Sequence, residues 1–114
     1  MKRVVVTGLG AITPIGNTLQ AYTDGLKQGK SGASPITYFD TTNFKTKFAC
    51  EVKDLQIGDF IHRKEARRMD LFTQYAMIIA EEAIQDSGID INRLNLDRAG
   101  CIWGSGIGLS LIHI

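Results

Sequence analysis

An α/β domain is the fold class this sequence predicts, and three observations predict it. Two short apolar runs, RVVVT at 3–7 and AGCIW at 99–103, each empty into glycines. One long stretch of helical periodicity, 63–87, lies between them. Turn-rich links separate the periodic segments, and the order that results, strand, helix, strand, long helix, strand, is that of a sheet with crossover helices.

Residues 3–7 hold Val4, Val5 and Val6 in succession, closed by Gly8 and Gly10. An uninterrupted β-branched run predicts a strand buried on both faces, as parallel sheets require. Asn17 stands where it can N-cap a helix running to Gln28, with Leu19, Tyr22 and Leu26 on one face and Gly29 as the stop. Residues 29–43 are rich in Gly, Ser, Pro, Asp and Thr and read as an ordered loop. KFACEV at 47–52 places Phe48, Cys50 and Val52 on one face of a short strand. Along 63–87, Met69, Phe72, Ala76, Ile79, Ala80 and Ala83 recur at helical spacing before Gly88, which predicts one amphipathic helix of about seven turns. A polar link with Asp90, Asn92, Arg93 and Asn95 leads to a second buried strand at 99–103, followed by GSGIG at 104–108.

The chain has 114 residues, 44% hydrophobic and 22% charged, with 12 glycines. That composition describes one globular domain and excludes a disordered or fibrous chain. Burial of roughly 65% of the unfolded surface is the norm at this length, with little margin if part of a sheet is missing. Thirteen basic against twelve acidic residues give a net charge of +1, too balanced for a surface that tracks nucleic acid or anionic lipid. A charge-driven partner must therefore be met by a local patch. Cys50 and Cys101 have no CxxC or paired His beside them, so neither a zinc site nor a disulfide framework is indicated, and two free thiols fit a cytoplasmic protein. Thr7, Gly8, Gly10 and Pro14 interrupt the apolar start before it makes a signal peptide, and no apolar run reaches the roughly 18 residues of a membrane span.

Both glycine motifs fail as catalytic or cofactor signatures. A dinucleotide fingerprint beginning at Gly8 and Gly10 needs a glycine where Thr13 stands, and no acidic residue near Lys30 could hold a ribose. GLGAITPIG at 8–16 therefore reads as a tight strand-to-helix turn, and no cofactor is expected. Ser105 in GSGIG has glycine on both sides, whereas a nucleophile elbow needs one residue between each glycine and the serine. Gly104, Gly106 and Gly108 leave room for main chain to approach a ligand or another chain. His62 and His113 read as ordinary surface histidines, and Cys50 and Cys101 as inert thiols, Cys101 buried within its apolar run.

RKEARR at 63–68 is the one charge cluster that asks for an explanation. Arg63 with Arg67, and Lys64 with Arg68, are like-charge pairs four apart, set on what is expected to be the first turns of the long helix, where the macrodipole favours anions. Glu65 relieves this only in part. Either the cluster is a solvated helix face, or it is a docking patch for an external anionic partner that removes the repulsion.

Four strings, KRVVVTGLGAITPIGN at 2–17, FDTTNFKTKFACEVKD at 39–54, RKEARRMDLFTQYAMIIAEEAIQDSG at 63–88 and IWGSGIG at 102–108, resemble in order and spacing the N-terminal quarter of the bacterial β-ketoacyl-acyl-carrier-protein synthase II family. The resemblance implies a thiolase-like fold, here the incomplete N-terminal half, and a homodimer. It also implies fatty-acid elongation by decarboxylative Claisen condensation of malonyl-acyl-carrier protein with an acyl thioester. A cysteine nucleophile, two histidines and a supporting lysine carry that chemistry in the family. All fall beyond residue 114, so no catalytic residue and no metal ligand is expected here, and neither Cys50 nor Cys101 matches the nucleophile. Two features carry over: Lys64, Arg67 and Arg68 match the positions that meet the acidic helix of the acyl carrier protein, and Ile107 matches the isoleucine that lines and gates the acyl pocket.

After Gly108 the sequence departs from the family pattern. Residues 1–108 are expected to be the family part and 109–114, LSLIHI, a foreign or out-of-frame tail on a truncated and inactive chain. The alternative from a different class is a stand-alone α/β module that binds an acidic carrier protein without catalysis.

Overall fold

The computed structural model describes residues 1–106, so Ile107, Gly108, His113 and the 109–114 tail lie outside the described residues. In chain order come helix α1 (Leu19–Lys27), strands β1 (Ala33–Pro35) and β2 (Phe48–Cys50), the one-turn helix α2 (Arg63–Ala66) and the long helix α3 (Leu71–Ser87). Short 3₁₀ turns occupy Ile57–Asp59, Ile91–Arg93 and Leu96–Arg98. β1 and β2 form an antiparallel ribbon in the register Ala33 to Cys50, Ser34 to Ala49 and Pro35 to Phe48.

The first helix starts one residue later than its sequence suggests. Thr18, in extended conformation, is the N-cap, and its hydroxyl oxygen accepts from the Ala21 amide at 3.1 Å. Asn17 is used elsewhere: its amide nitrogen donates to the Lys53 carbonyl at 2.6 Å, tying the helix entry to the segment after β2. At the other end Gly29 adopts φ +65°, and Lys30 N–H reaches back to the Gly25 carbonyl at 2.9 Å. A left-handed glycine just past the helix takes up carbonyls that would otherwise lack partners.

The expected 63–87 helix is broken in two. Asp70 is extended (ψ 159°) and serves as N-cap of α3, so the helical path is interrupted between Ala66 and Leu71. Helical periodicity does not register such a break, because the apolar spacing resumes on the far side. Gln74 holds the two pieces together, its Nε2 donating to the carbonyls of Ala66 (2.8 Å) and Met69 (3.2 Å). These are among the carbonyls that a helix end leaves without intrahelical partners. α3 ends at Gly88 with φ +66°.

Neither of the two apolar runs forms a strand. Residues 3–7 and 99–103 make no ladder with any described residue, and Val4 (93% exposed) and Ile102 (99%) face solvent. The sequence pattern is that of a strand covered on both faces, but covering requires neighbours, and those are not among the described residues. β2 is present, yet Phe48 and Cys50 share its exposed face while Ala49 is half-buried. The 29–43 segment, read as loop, contains β1, where Pro35 is tolerated at the end of a two-stranded ribbon.

Burial is correspondingly thin. The chain exposes 9738 Å², where a self-contained monomer of 114 residues exposes roughly 6,200 Å². Ile61 and Ile78 are the buried large apolar side chains among the described residues. Against the expected two-thirds, roughly half of the unfolded surface is removed from water.

What order there is comes from the packing of residues 8–19 on α3. A Cβ at Gly8 would collide with the Ala83 carbonyl oxygen, and one at Gly10 with the Ile79 carbonyl oxygen. These glycines exist for close approach of extended chain to helix, rather than for a turn. The polar groups are matched too. Leu9 N–H donates to Asp86 Oδ2 and Ala11 N–H to Glu82 Oε2, both at 2.9 Å. Alternate amides of an extended segment recur roughly every 6.7 Å, and residues four apart on a helix roughly every 6 Å, so carboxylates at 82 and 86 meet amides at 11 and 9. The second oxygen of Glu82 accepts from Leu19 N–H at 2.7 Å, at the first turn of α1. Thr13 seals the intervening turn: its amide donates to the Gly16 carbonyl at 2.8 Å and its hydroxyl accepts from Ile15 N–H at 3.3 Å.

The ribbon is fastened by a buried carboxylate. Glu51, 8% exposed, accepts from the Thr37 hydroxyl at 2.8 Å and the Thr37 amide at 3.1 Å. The Thr37 hydroxyl is the main reason that its pKa is lowered from the ordinary 4.5, with burial opposing and the amides of Thr37 and Tyr38 and the charge of Lys53 adding to it.

Two outcomes follow. Gly10→Ala forces a methyl group into the α3 backbone and should destabilise the chain by about 1–3 kcal/mol, read as a lowered urea midpoint at unchanged slope. Because the Glu51 pKa is depressed in the folded state, its contribution is fully present above the ordinary 4.5 and is lost as pH falls through the folded value. Urea midpoints measured from pH 7 downward should thus fall less steeply in Glu51→Gln than in the unaltered chain, and equal slopes would contradict the assignment.

Candidate functional site

The basic cluster sits on the surface at the broken helix. The chain reaches it through the 3₁₀ turn Ile57–Asp59, where Ile61 N–H bonds to the Ile57 carbonyl at 2.9 Å and Ile61 becomes buried. His62 then caps α2, its Nδ1 accepting from Lys64 N–H at 3.3 Å. The imidazole is exposed and works as a cap, beyond the surface residue its sequence context suggests.

Lys64, Arg67 and Arg68 are all exposed. Arg67 N–H bonds to the Arg63 carbonyl at 3.3 Å, so Arg63 and Arg67 keep helical spacing, whereas Arg68 N–H bonds to Glu65 at 2.9 Å and tightens the turn. The break corrects the expected dipole penalty. Arg67 is the C-cap of α2, and Arg68 follows it, at the end of a helix where cations are favoured. What persists is the concentration of charge. Among the described residues none of Arg63, Lys64, Arg67 and Arg68 has a carboxylate within ion-pairing distance, and the ion pair there is elsewhere, Arg93 with Asp90 at 3.5 Å.

Beside the cluster lies a hollow of about 460 Å³ lined by Ile57, Gly58, Ile61, Arg63, Ala66, Arg67 and Gln74. The sequence places Arg63 within the charge cluster but does not single out the 57–61 turn for function. The only signal of that turn is that Ile57 and Ile61 stand four apart just before the cluster. Nor does the sequence mark Glu82 and Asp86, whose matching spacing to Leu9 and Ala11 is visible only once the two segments are known to be adjacent.

The other candidate residues do not converge. Cys50 and Cys101 are both exposed, so burial does not account for inertness, contrary to the expectation for Cys101. Neither thiol hydrogen-bonds to a described residue, and no group of three or more His, Cys, Asp or Glu gathers as a metal site among the described residues. Gly104 and Gly106 face open space, and Ile107 lies outside the described residues.

Residues 1–112 match the family model for the β-ketoacyl synthase N-terminal domain. The chain belongs to the β-ketoacyl synthase family. It is 53% identical over 107 residues to a 3-oxoacyl-[acyl-carrier-protein] synthase 2 of Synechocystis, covering 94% of this chain and 26% of that protein. The same-named protein of Vibrio harveyi is 46% identical over 113 residues, covering 98% and 27%, and that of Staphylococcus aureus strain COL 48% over 107, covering 94% and 26%. Among solved structures, the ishigamide ketosynthase/chain length factor superposes with a TM-score of 0.72 at 43% identity, over 79% of this chain and 22% of that one. The chain thus spans about a quarter of the length of these relatives. Its fold is part of the thiolase-like α/β ketosynthase fold, as the four sequence strings imply.

A synthase nucleophile needs a base or a helix N-terminus to activate it. Incubation of the chain with an acyl-thioester donor should leave Cys50 and Cys101 unacylated by intact-mass measurement. Stoichiometric labelling of either would overturn their assignment as bystanders.

Proposed function

We propose that this segment belongs to a 3-oxoacyl-acyl-carrier-protein synthase of type II fatty-acid synthesis, and that Lys64, Arg67 and Arg68 are where the carrier protein docks. The observation that carries the proposal is the exposed cluster of cations with no ion pair among the described residues, on a chain about half identical to synthases named for that carrier. Exposed charges left unpaired cost little in water, and they steer and orient an acidic partner.

In this reading the reaction begins with transfer of an acyl group from its carrier thiol to a cysteine thiolate. Malonyl-carrier protein then loses carbon dioxide, and the resulting enolate attacks the acyl-enzyme, expelling the cysteine. The product is a 3-oxoacyl thioester lengthened by the carbons that malonyl retains. The cysteine, two histidines and lysine of that chemistry are assigned to positions outside these 114 residues, so the segment alone is inactive. Ile107 is assigned to the wall and gate of the acyl pocket, where a β-branched side chain flanked by glycines can move aside for a long chain. Residues 1–108 are assigned to the synthase domain, and the whole enzyme is assigned to the cytoplasm as a homodimer.

Placed in a full-length synthase, reversal of Arg67 and Arg68 to Glu should weaken carrier-protein binding by about 2–4 kcal/mol at low salt, and less at high salt. The measurement is the Michaelis constant for acyl-carrier protein beside that for a small acyl thioester without the protein. Equal losses on both substrates, or a loss indifferent to salt, would make the cluster structural.

A further inference from the structure

Helix breaks have identifiable causes, chiefly proline, glycine or a side chain inserted into the hydrogen-bond ladder. Residues 63–73, RKEARRMDLFT, contain neither proline nor glycine. The chain also stays close to helical right up to the break. Arg67 has φ −65° and ψ −18°, and the amides of Arg68 and Met69 close tight turns onto the carbonyls of Glu65 and Ala66 at 2.9 and 3.1 Å. Asp70 has a helical φ of −67°, so its departure lies in one torsion, a ψ of 159° where a helix needs about −42°. Its side chain is exposed and makes no capping bond to α3, so the carboxylate does not hold that torsion.

Gln74 holds it. In an uninterrupted helix the Ala66 carbonyl would accept from the Asp70 amide and the Met69 carbonyl from the Thr73 amide, four residues on in each case. Instead Gln74 Nε2 donates to both, at 2.8 and 3.2 Å. One side-chain amide thus occupies two acceptors that the ladder would use, and the broken and continuous paths compete for the same carbonyls.

We propose that Asp70 is a single-torsion hinge and Gln74 its latch. With the latch closed the helix is broken; with it open, rotation about the Asp70 ψ lets 63–87 close as one helix, the form that its apolar periodicity predicts. The segment before the hinge moves as a unit, because Ile61 N–H bonds to the Ile57 carbonyl and Ala66 N–H to the His62 carbonyl, both at 2.9 Å. Arg63, Lys64, Arg67 and Arg68 all lie on the moving side. The hinge therefore sets the direction of the basic cluster relative to α3, whatever partner the cluster meets.

The amides of Asp70, Leu71, Phe72 and Thr73 are the first four of α3 and have no partner within it. In a continuous helix each would gain one. Nuclear magnetic resonance on the isotope-labelled 114-residue chain reads both states, the Asp70 Cα shift reporting its ψ and amide exchange reporting closure. Gln74→Leu removes the donor and keeps a helix former of similar size. In that variant the Asp70 Cα shift should move from the extended to the helical range, and the four amides should exchange about ten-fold more slowly or better. Gln85→Leu is the control, at a second glutamine of α3 whose amide bonds to Glu81 at 2.8 Å, and it should change neither. An Asp70 that stays extended in Gln74→Leu, with its four amides unprotected, would overturn the latch. The same change in Gln85→Leu would overturn it too, by making the effect one of general helix propensity. Should Gln74→Leu fail to fold, relaxation dispersion in the unaltered chain decides: exchange on the microsecond-to-millisecond scale is expected at those four amides, and its absence would overturn the hinge.

Discussion

The carboxylate of Glu82 is the contact on which the arrangement of the chain depends. One oxygen accepts from Ala11, the other from Leu19, and the side chain itself stands on α3. The chain after the first glycines and the start of α1 are thereby fixed to a helix more than sixty residues away by a single side chain. Hydrogen bonds to a charged acceptor contribute more than neutral ones, about 1.5–3 kcal/mol each. In a chain whose buried large apolar side chains among the described residues are Ile61 and Ile78, such bonds weigh more than they would beside a large core. Asp86 extends the pattern by one helical turn, and Gly8 and Gly10 make it possible, since no side chain could stand between backbone and helix.

That arrangement explains why the N-terminal run of valines lies open. Gly8 packs closely on α3, whereas residues 3–7 before it form no ladder with described residues and leave Val4, Val5 and Val6 exposed. The same holds for 99–103 at the other end of the described chain. Both runs have the unbroken apolar character of parallel strands buried on two faces, and such strands draw on ladders and on covering helices from elsewhere in the fold. Their composition records an environment larger than the described residues supply. This is consistent with a chain that spans about a quarter of its relatives' length.

The α/β class, the helix after the first glycines, the strand at 48–50 and the concentration of exposed cations at 63–68 were legible because each rests on a local pattern. The family was legible from four strings in register, a stronger signal than either glycine motif. What escaped was decided at a distance. Asn17 lost the cap to Thr18 because its side chain bonds to Lys53, which no local rule anticipates. β1 was invisible, because Ala33, Ser34 and Pro35 have no strand propensity and pair only because β2 runs beside them. The break at Arg67 to Asp70 escaped for a third reason. Periodicity reports which face is apolar, and the face continues across the break, while the side chain that repairs it, Gln74, looks in sequence like any solvent-facing glutamine.

The break bears directly on how the cluster can serve as a docking surface. On one continuous helix, Arg67 and Arg68 would lie in an interior turn stacked over Arg63 and Lys64, with repulsion along the whole row. Ending α2 at Ala66 makes Arg67 a C-cap and tightens the next turn, so that Arg68 bonds back to Glu65 rather than continuing the row. Arg67 and Arg68 are then tolerated by a helix end that favours cations, and all four basic side chains stay free of ion pairs among the described residues. In the proposed docking role such exposed charges would give a fast, reversible encounter, whereas desolvated ion pairs bind at a larger cost in solvation. Gln74 is therefore the residue that makes the break tenable: by carrying no charge itself but satisfying the carbonyls of the interrupted helix, it lets four basic side chains and Glu65 share six residues of surface with no ion pair among the described residues.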